Sequence, residues 1–249
     1  MRAARHYARM TGAFLNALGI LLGSLYGLAA RKLPALRTEV FFRSALGAFT
    51  VFFGLRLVWL SLNGTFLACA KQFFLAALAV VIGNWIGKIL RLQKISNRLG
   101  RHAANIIASA QKNPSGNPFD GLNACAILFC AAPLGLLGAV TDGLSGYFFP
   151  LAVKAAMDGF AMVSFVKMFR WPCALAAIPV FIFFTAITTV VQIYAAPFLN
   201  THHSTDSVQA AAGLIICAVA LVIFEVRRVE LNSYLPALLV APLLAHWFA

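Results

Sequence analysis

Residues 130–159 read CAAPLGLLGAVTDGLSGYFFPLAVKAAMDG. The stretch is built of apolar and small residues, with only three charges, at Asp142, Lys154 and Asp158. It is too long and too uniformly apolar for a strand or a half-buried surface helix. A bilayer span needs about 20 such residues, and this stretch holds parts of two. Pro133 lacks a backbone donor and crowds the carbonyl one turn earlier, so the first of these helices is expected to kink or break there. Freed backbone groups persist inside a membrane only where protein or a wet cavity satisfies them. Lys154 and Asp158 are four residues apart and share one helix face.

The rest of the chain repeats this character. Of 249 residues 61% are apolar and 11% charged, and mean hydropathy is +0.86. A soluble domain is about half apolar and a quarter charged, and a chain of this size cannot hide the excess in one core. The pattern predicts an all-α polytopic transmembrane bundle of about eight spans, near 11–30, 41–62, 68–90, 120–141, 147–169, 173–198, 207–226 and 233–249. It divides into a basic extension 1–10, a three-helix part 11–90, a basic connection 91–119 and a five-helix part 120–249. Within the connection, Ile95 to Gln111 suits an amphipathic surface helix, and 113–118 (NPSGNP) breaks it.

The net charge of +13 does not indicate a nucleic-acid partner, because the basic residues sit in short turns without an aromatic–basic surface. Fourteen Lys and Arg fall on the odd connections and four on the other side, while Arg56 and Lys154 lie within spans. The excess of positive charge puts the odd connections, with 91–119, in the cytoplasm and both termini outside. Arg2, Arg5 and Arg9 run against that bias, which makes Met10 a candidate native start. These arginines also imitate a secretory signal, but the apolar run after them is long and Gly-rich and reads as the first span. The five cysteines have no C-x-x-C spacing and read as small core residues.

Gly12, Asn16, Gly19, Gly23 and Gly27 share one face of the first span. Small residues let another backbone approach closely, which serves packing within the chain and equally allows a homodimer. Asn16 differs from the glycines, since an amide near mid-span needs a hydrogen-bonding neighbour or a polar cavity. Thr185, Thr188, Thr189 and Gln192 form one stripe of the sixth span. Threonines can bond their own helix's carbonyls, whereas Gln192 has no such outlet. SALG (44–47) with Gly54-Leu55, and AAAG (210–213) with Ala220-Leu221, share an offset on spans of opposite direction. This hints at inverted repeats, which secondary transporters often carry. Intramembrane charges are expensive, usually pair, and often mark solute or proton paths. Lys154–Asp158 reads either as such a site or as a structural ion pair. Asp142 reads either as a site residue beside Thr141 or as a solvated turn residue, and 142–146 could also be the tip of a re-entrant hairpin.

Several stretches resemble the YqgA-like family of bacterial inner-membrane proteins, catalogued as domain of unknown function 554. They are GAFLNALGILLGSLYG (12–27), CAAP (130–133), LGAVTDGLSG (137–146), KAAMDG (154–159) and NSYLPALLVAP (232–242). The resemblance implies a multi-spanning inner-membrane protein and carries no activity. The extension before Met10 departs from the family's pattern. So do Phe183-Phe184, where the family tends to place a polar residue.

The leading expectation is a secondary transporter or permease for a small polar or charged solute or ion. Its site is Asp158 and Lys154, with Asp142, Asn16, Thr141 and Gln192 as further candidates and Pro133, Gly135 and Gly138 at the helix break. Asp158→Asn is expected to abolish coupled uptake and leave folding intact. No ATP-binding loop or cofactor motif is present. A membrane assembly partner or sensor is the second reading, with the basic segment 91–112 as its candidate accessory surface, a segment that equally suits simple contact with anionic lipid, and an ion channel is the third. Enzymatic chemistry is not expected, for lack of a nucleophile with a base, of Gly-x-Ser-x-Gly or of paired metal-ligand histidines. His202 and His203 point apart on most backbones.

Overall fold

The computed structural model describes residues 10–30, 35–112, 119–202, 204–227 and 229–248. The arginines of the N-terminal extension, Arg31, Lys32, the breaker 113–118, His203 and Arg228 lie outside the described residues. No strand occurs among the described residues.

The helices are α1 (Thr11–Ala29), α2 (Leu36–Ser61), α3 (Phe66–Ile89), α4 (Leu92–Lys112), α5 (Asp120–Cys130), α6 (Pro133–Ser145), α7 (Phe149–Phe169), α8 (Ala177–Val190), α9 (Ala196–Thr201), α10 (Thr205–Ile223) and α11 (Ala237–Phe248). A 3₁₀ turn, Trp171–Ala176, leads into α8, and a π turn, Val191–Ala195, joins α8 to α9 in one span of 31 residues. Three boundaries differ from expectation. The second span opens at Leu36 instead of 41, because Arg37, Glu39 and Arg43 lie in its first turns, where Arg43 pairs with Glu39 and with Glu225 in the turn after α10. The eighth span starts with a 3₁₀ turn, Leu231–Tyr234, since Pro236 cannot donate to a helix entering from that side. The fourth runs on to Ser145 instead of 141 and is broken at Pro133 as expected, into α5 and α6 bent by 60°.

The contacts between helices decide how many times the chain crosses. Gly12 meets Leu151, Gly19 meets Ala155, Gly23 meets Gly159 and Gly27 meets Val163, so α1 and α7 run parallel. Gly47 meets Phe224 and Gly54 meets Gly213, so α2 and α10 are antiparallel. Gly83 meets Ala237 and Gly87 meets Ser233, which makes α3 and α11 antiparallel as well. Gly121, at the start of α5, packs on Phe169 at the C-terminal end of α7. Gly138, in α6, packs on Leu151 near the N-terminal end of α7. The broken pair therefore traverses the whole bundle, so 142–146 is not the tip of a re-entrant hairpin. With the seven continuous spans this makes eight crossings among the described residues, with the start of α1 and the end of α11 on one face, the termini face. Arg43, Lys88, Arg91, Lys167 and Arg170 gather at the other, the basic face.

The surface identifies the solvent. The α3 span has mean hydropathy 2.0, yet only 17% of it is buried inside the protein. Phe66, Trp85 and Ile89 project outward from it. Such a surface is unfavourable in water and ordinary in lipid. All four tryptophans are exposed and sit near helix ends, Trp59 and Trp247 toward the termini face, Trp85 and Trp171 toward the basic face. This is the pair of aromatic belts of a spanning protein. The inner helices are α7 and α10, each more than half buried. The helix α4 is amphipathic and packs along the basic face, with Ala103 and Ile107 turned inward and Arg98 and Arg101 outward. There the Asn232 N–H donates to Gln93 Oε1 at 3.3 Å.

Labelling tests this arrangement. In a Cys69→Ser background, Ser145→Cys and Thr201→Cys are expected to react with an impermeant maleimide from the same side of a sealed vesicle, and Asn97→Cys from the other. Opposite accessibility at 145 and 201 would restore the re-entrant hairpin.

Candidate intramembrane ion-pair site

The site forms where the fourth span breaks. The helix α5 ends at Cys130, and Pro133 opens α6 as its first residue, where a missing N–H does no harm. The proline thus starts a second helix instead of kinking one helix. A helix C-terminus leaves carbonyls without intrahelical donors and carries partial negative charge, and here that end lies inside the bundle. Two residues into α6, Gly135 has no side chain, and the space its Cβ would take is filled by the Phe184 ring and by Lys154 Cε.

Lys154 and Asp158 project from α7 toward this break. Lys154 Nζ donates to Asp158 Oδ2, and the residues are 1% and 7% exposed. Asp158 stands near the middle of the 21-residue α7, so the pair lies deep in the span. The ammonium also lies over two aromatic faces, 5.5 Å from the Phe129 centroid and 5.4 Å from that of Phe184, each an attractive contact for a cation. The glycine contacts between α1 and α7 bring Asn16 into the same cluster. Its amide adjoins the Asp158 carboxylate and is fully buried. Such burial alters the outcome expected for Asp158→Asn, because removing one partner strands the other charge away from water. Folding would suffer along with activity.

The remaining candidates lie elsewhere. Asp142 is fully buried, not a solvated turn residue, because α6 continues to Ser145 and ends on Gly146, whose φ of 77° caps it in the left-handed region. Its Oδ2 accepts the Gly12 N–H at 3.1 Å, within the first turn of α1. An acceptor there satisfies an orphan donor and opposes the helix dipole, so Asp142 ties α1 to α6. The Thr141 hydroxyl lies 3.1 Å from Gly138 O and 3.0 Å from Tyr147 O, and holds the α6–α7 turn. Gly138 serves the packing of α6 on α7. Gln192 falls in the π turn, two turns from Phe184 toward the termini face. Of the stripe around it, Thr188 is fully buried and donates to Ala139 O at 3.2 Å. Phe129 was not singled out in the sequence, and Phe184 only as a departure from the family's pattern, not as a wall of the ion pair. They are two of 22 phenylalanines, and nothing local separates a ring facing a lysine from one facing lipid.

Fold and site together define a polytopic α-helical membrane protein with one ion pair buried in its core among the described residues. The chain belongs to the family described as Protein of unknown function (DUF554), whose model matches residues 11–246. It is 30% identical over 241 residues to the uncharacterized protein YqgA of Escherichia coli (strain K12), covering 96% of this chain and 97% of that protein. It is 24% identical over 233 residues to the uncharacterized membrane protein YdfK of Bacillus subtilis (strain 168), covering 94% of each. No solved structure matches the chain.

Proposed function

We propose that the protein is a permease for a small polar or charged solute, with Lys154–Asp158 as its charge-handling site. The observation that carries this reading is the ion pair's place, buried in mid-span against the break between α5 and α6. Charges and broken helices are both costly in lipid, and here they coincide. Discontinuous helices whose ends meet a solute near the bilayer midplane are a recurring feature of secondary carriers. In this reading the basic face is cytoplasmic, the membrane is a bacterial inner membrane, and both termini are outside, in keeping with the charge bias. Asp158 exchanges its partner during transport, and Lys154 balances the carboxylate when the site is empty.

The closed packing around the pair favours one second reading, a membrane component that transports nothing and uses the pair as a structural pin. Neither Lys154 nor Asp158 lines any of five surface cavities formed by the described residues. Reconstitution separates the two. Proteoliposomes are expected to take up one class from a panel of inorganic ions, amino acids, organic acids, polyamines and nucleosides. The double variant Lys154→Met/Asp158→Leu, folded but uncharged at the site, is expected to show none. Wild-type vesicles inert to the whole panel, with gradients in either direction, would decide for the structural pin.

A further inference from the structure

We infer that the solute is a small organic cation of the ammonium type, and that Lys154 occupies its place as a tethered surrogate when the site is empty. The inference rests on the permease reading and names the substrate class of the same site. The groups around Lys154 Nζ are a carboxylate (Asp158), two aromatic faces (Phe129 and Phe184) and the C-terminal end of α5, which Phe129 adjoins. Each of these attracts positive charge. Beside them the buried Asn16 amide keeps an open acceptor.

The aromatic walls set the type of cation. Ring faces hold alkylammonium groups well, whereas a hydrated metal ion prefers a shell of oxygens. An anionic solute would meet Asp158 and two ring faces, both repulsive to it. Lys154 itself is an alkylammonium held on an internal tether. It reaches its position past Gly135, the one residue of that turn of α6 that leaves room for its Cε. An incoming ammonium takes the carboxylate and the aromatic walls as Lys154 withdraws. The net charge of the site stays the same while the tethered ion gives way to the free one.

Capacitive currents from proteoliposomes on a solid-supported membrane test this with ethylammonium, tetramethylammonium (which has no neutral form to cross the bilayer unaided), sodium and propionate, and uptake of radiolabelled glycerol into the same proteoliposomes tests an uncharged solute. The expected result is a saturable inward-positive current with one or both organic cations and none with sodium or propionate. Phe184→Leu should raise the half-saturating concentration about tenfold, the loss of one desolvated cation–π contact. In Lys154→Ala, which vacates the tether, ethylammonium should raise the melting midpoint more than sodium does at equal ionic strength. Transport of propionate or sodium alone, or uptake of glycerol alone, would overturn the cation assignment and leave the permease reading standing. No response to any solute, with Lys154→Ala unmoved by ethylammonium, would sink both.

Discussion

Asp158→Ala is expected to destabilise the protein by about 3–5 kcal/mol, the loss seen when one partner of a buried ion pair is removed. In detergent this appears as a large drop in melting midpoint. The cause is Lys154, which at 1% exposure loses its ion-pair partner in the protein interior and is left with only two ring faces and an amide nearby. Lys154→Met should cost a similar amount, because it strands the carboxylate. The double variant Lys154→Met/Asp158→Leu should recover most of the loss, since a buried pair replaced by apolar groups of similar volume is often neutral or stabilising. The interaction energy of this cycle is therefore expected to be large and favourable. Additive losses would mean that the two charges do not meet. A stable double variant without flux would separate the role of the pair in transport from its role in folding, which neither single variant can do.

Gly23→Leu is expected to prevent folding altogether, with no monodisperse protein recovered in detergent. On helix propensity alone the change is favourable by about 1 kcal/mol, so the tertiary contact must reverse the sign. At Gly23 an added Cβ would overlap the Gly159 carbonyl, and at Gly19 that of Ala155. These are backbone atoms of α7 and cannot rotate aside as a side chain would. The two helices would have to part along their length, losing dispersion contacts that drive association in lipid. Asn16, on the same helix, would leave Asp158. Gly100→Leu is the control, since nothing lies within 4 Å of that position on α4. A Gly23→Leu protein that elutes and melts like the wild type would contradict the parallel packing of α1 on α7.

The spans, the basic face and the polar groups in the membrane were legible because each depends on composition over a window or on spacing along one helix. Seven long apolar helices follow from hydropathy alone. Lys154 and Asp158 meet because four residues make one helical turn. The stripe of glycines announced close packing but not its partner, and both a homodimer and an internal neighbour satisfied it. The structure sets Gly19 and Gly23 against α7 of the same chain. Likewise Gly54 and Gly213, noted as members of two similar segments, turn out to face one another across α2 and α10.

Asp142 shows where reading along the chain stopped. Flanked by Thr141 and Gly143 near a glycine turn, it has the local signature of a solvated loop, and its acceptor role depends on an N–H 130 positions away. Phe129, Phe184 and Asn16 converge on the ion pair from three further helices, a convergence that no helical period encodes. Local periodicity and hydropathy settle which segments cross the membrane and which residues share a face, because both act within a turn or two of helix. Which face meets which, whether the broken span crosses or turns back, and what surrounds Lys154 and Asp158 depend on packing between distant segments, and only the assembled bundle decides them.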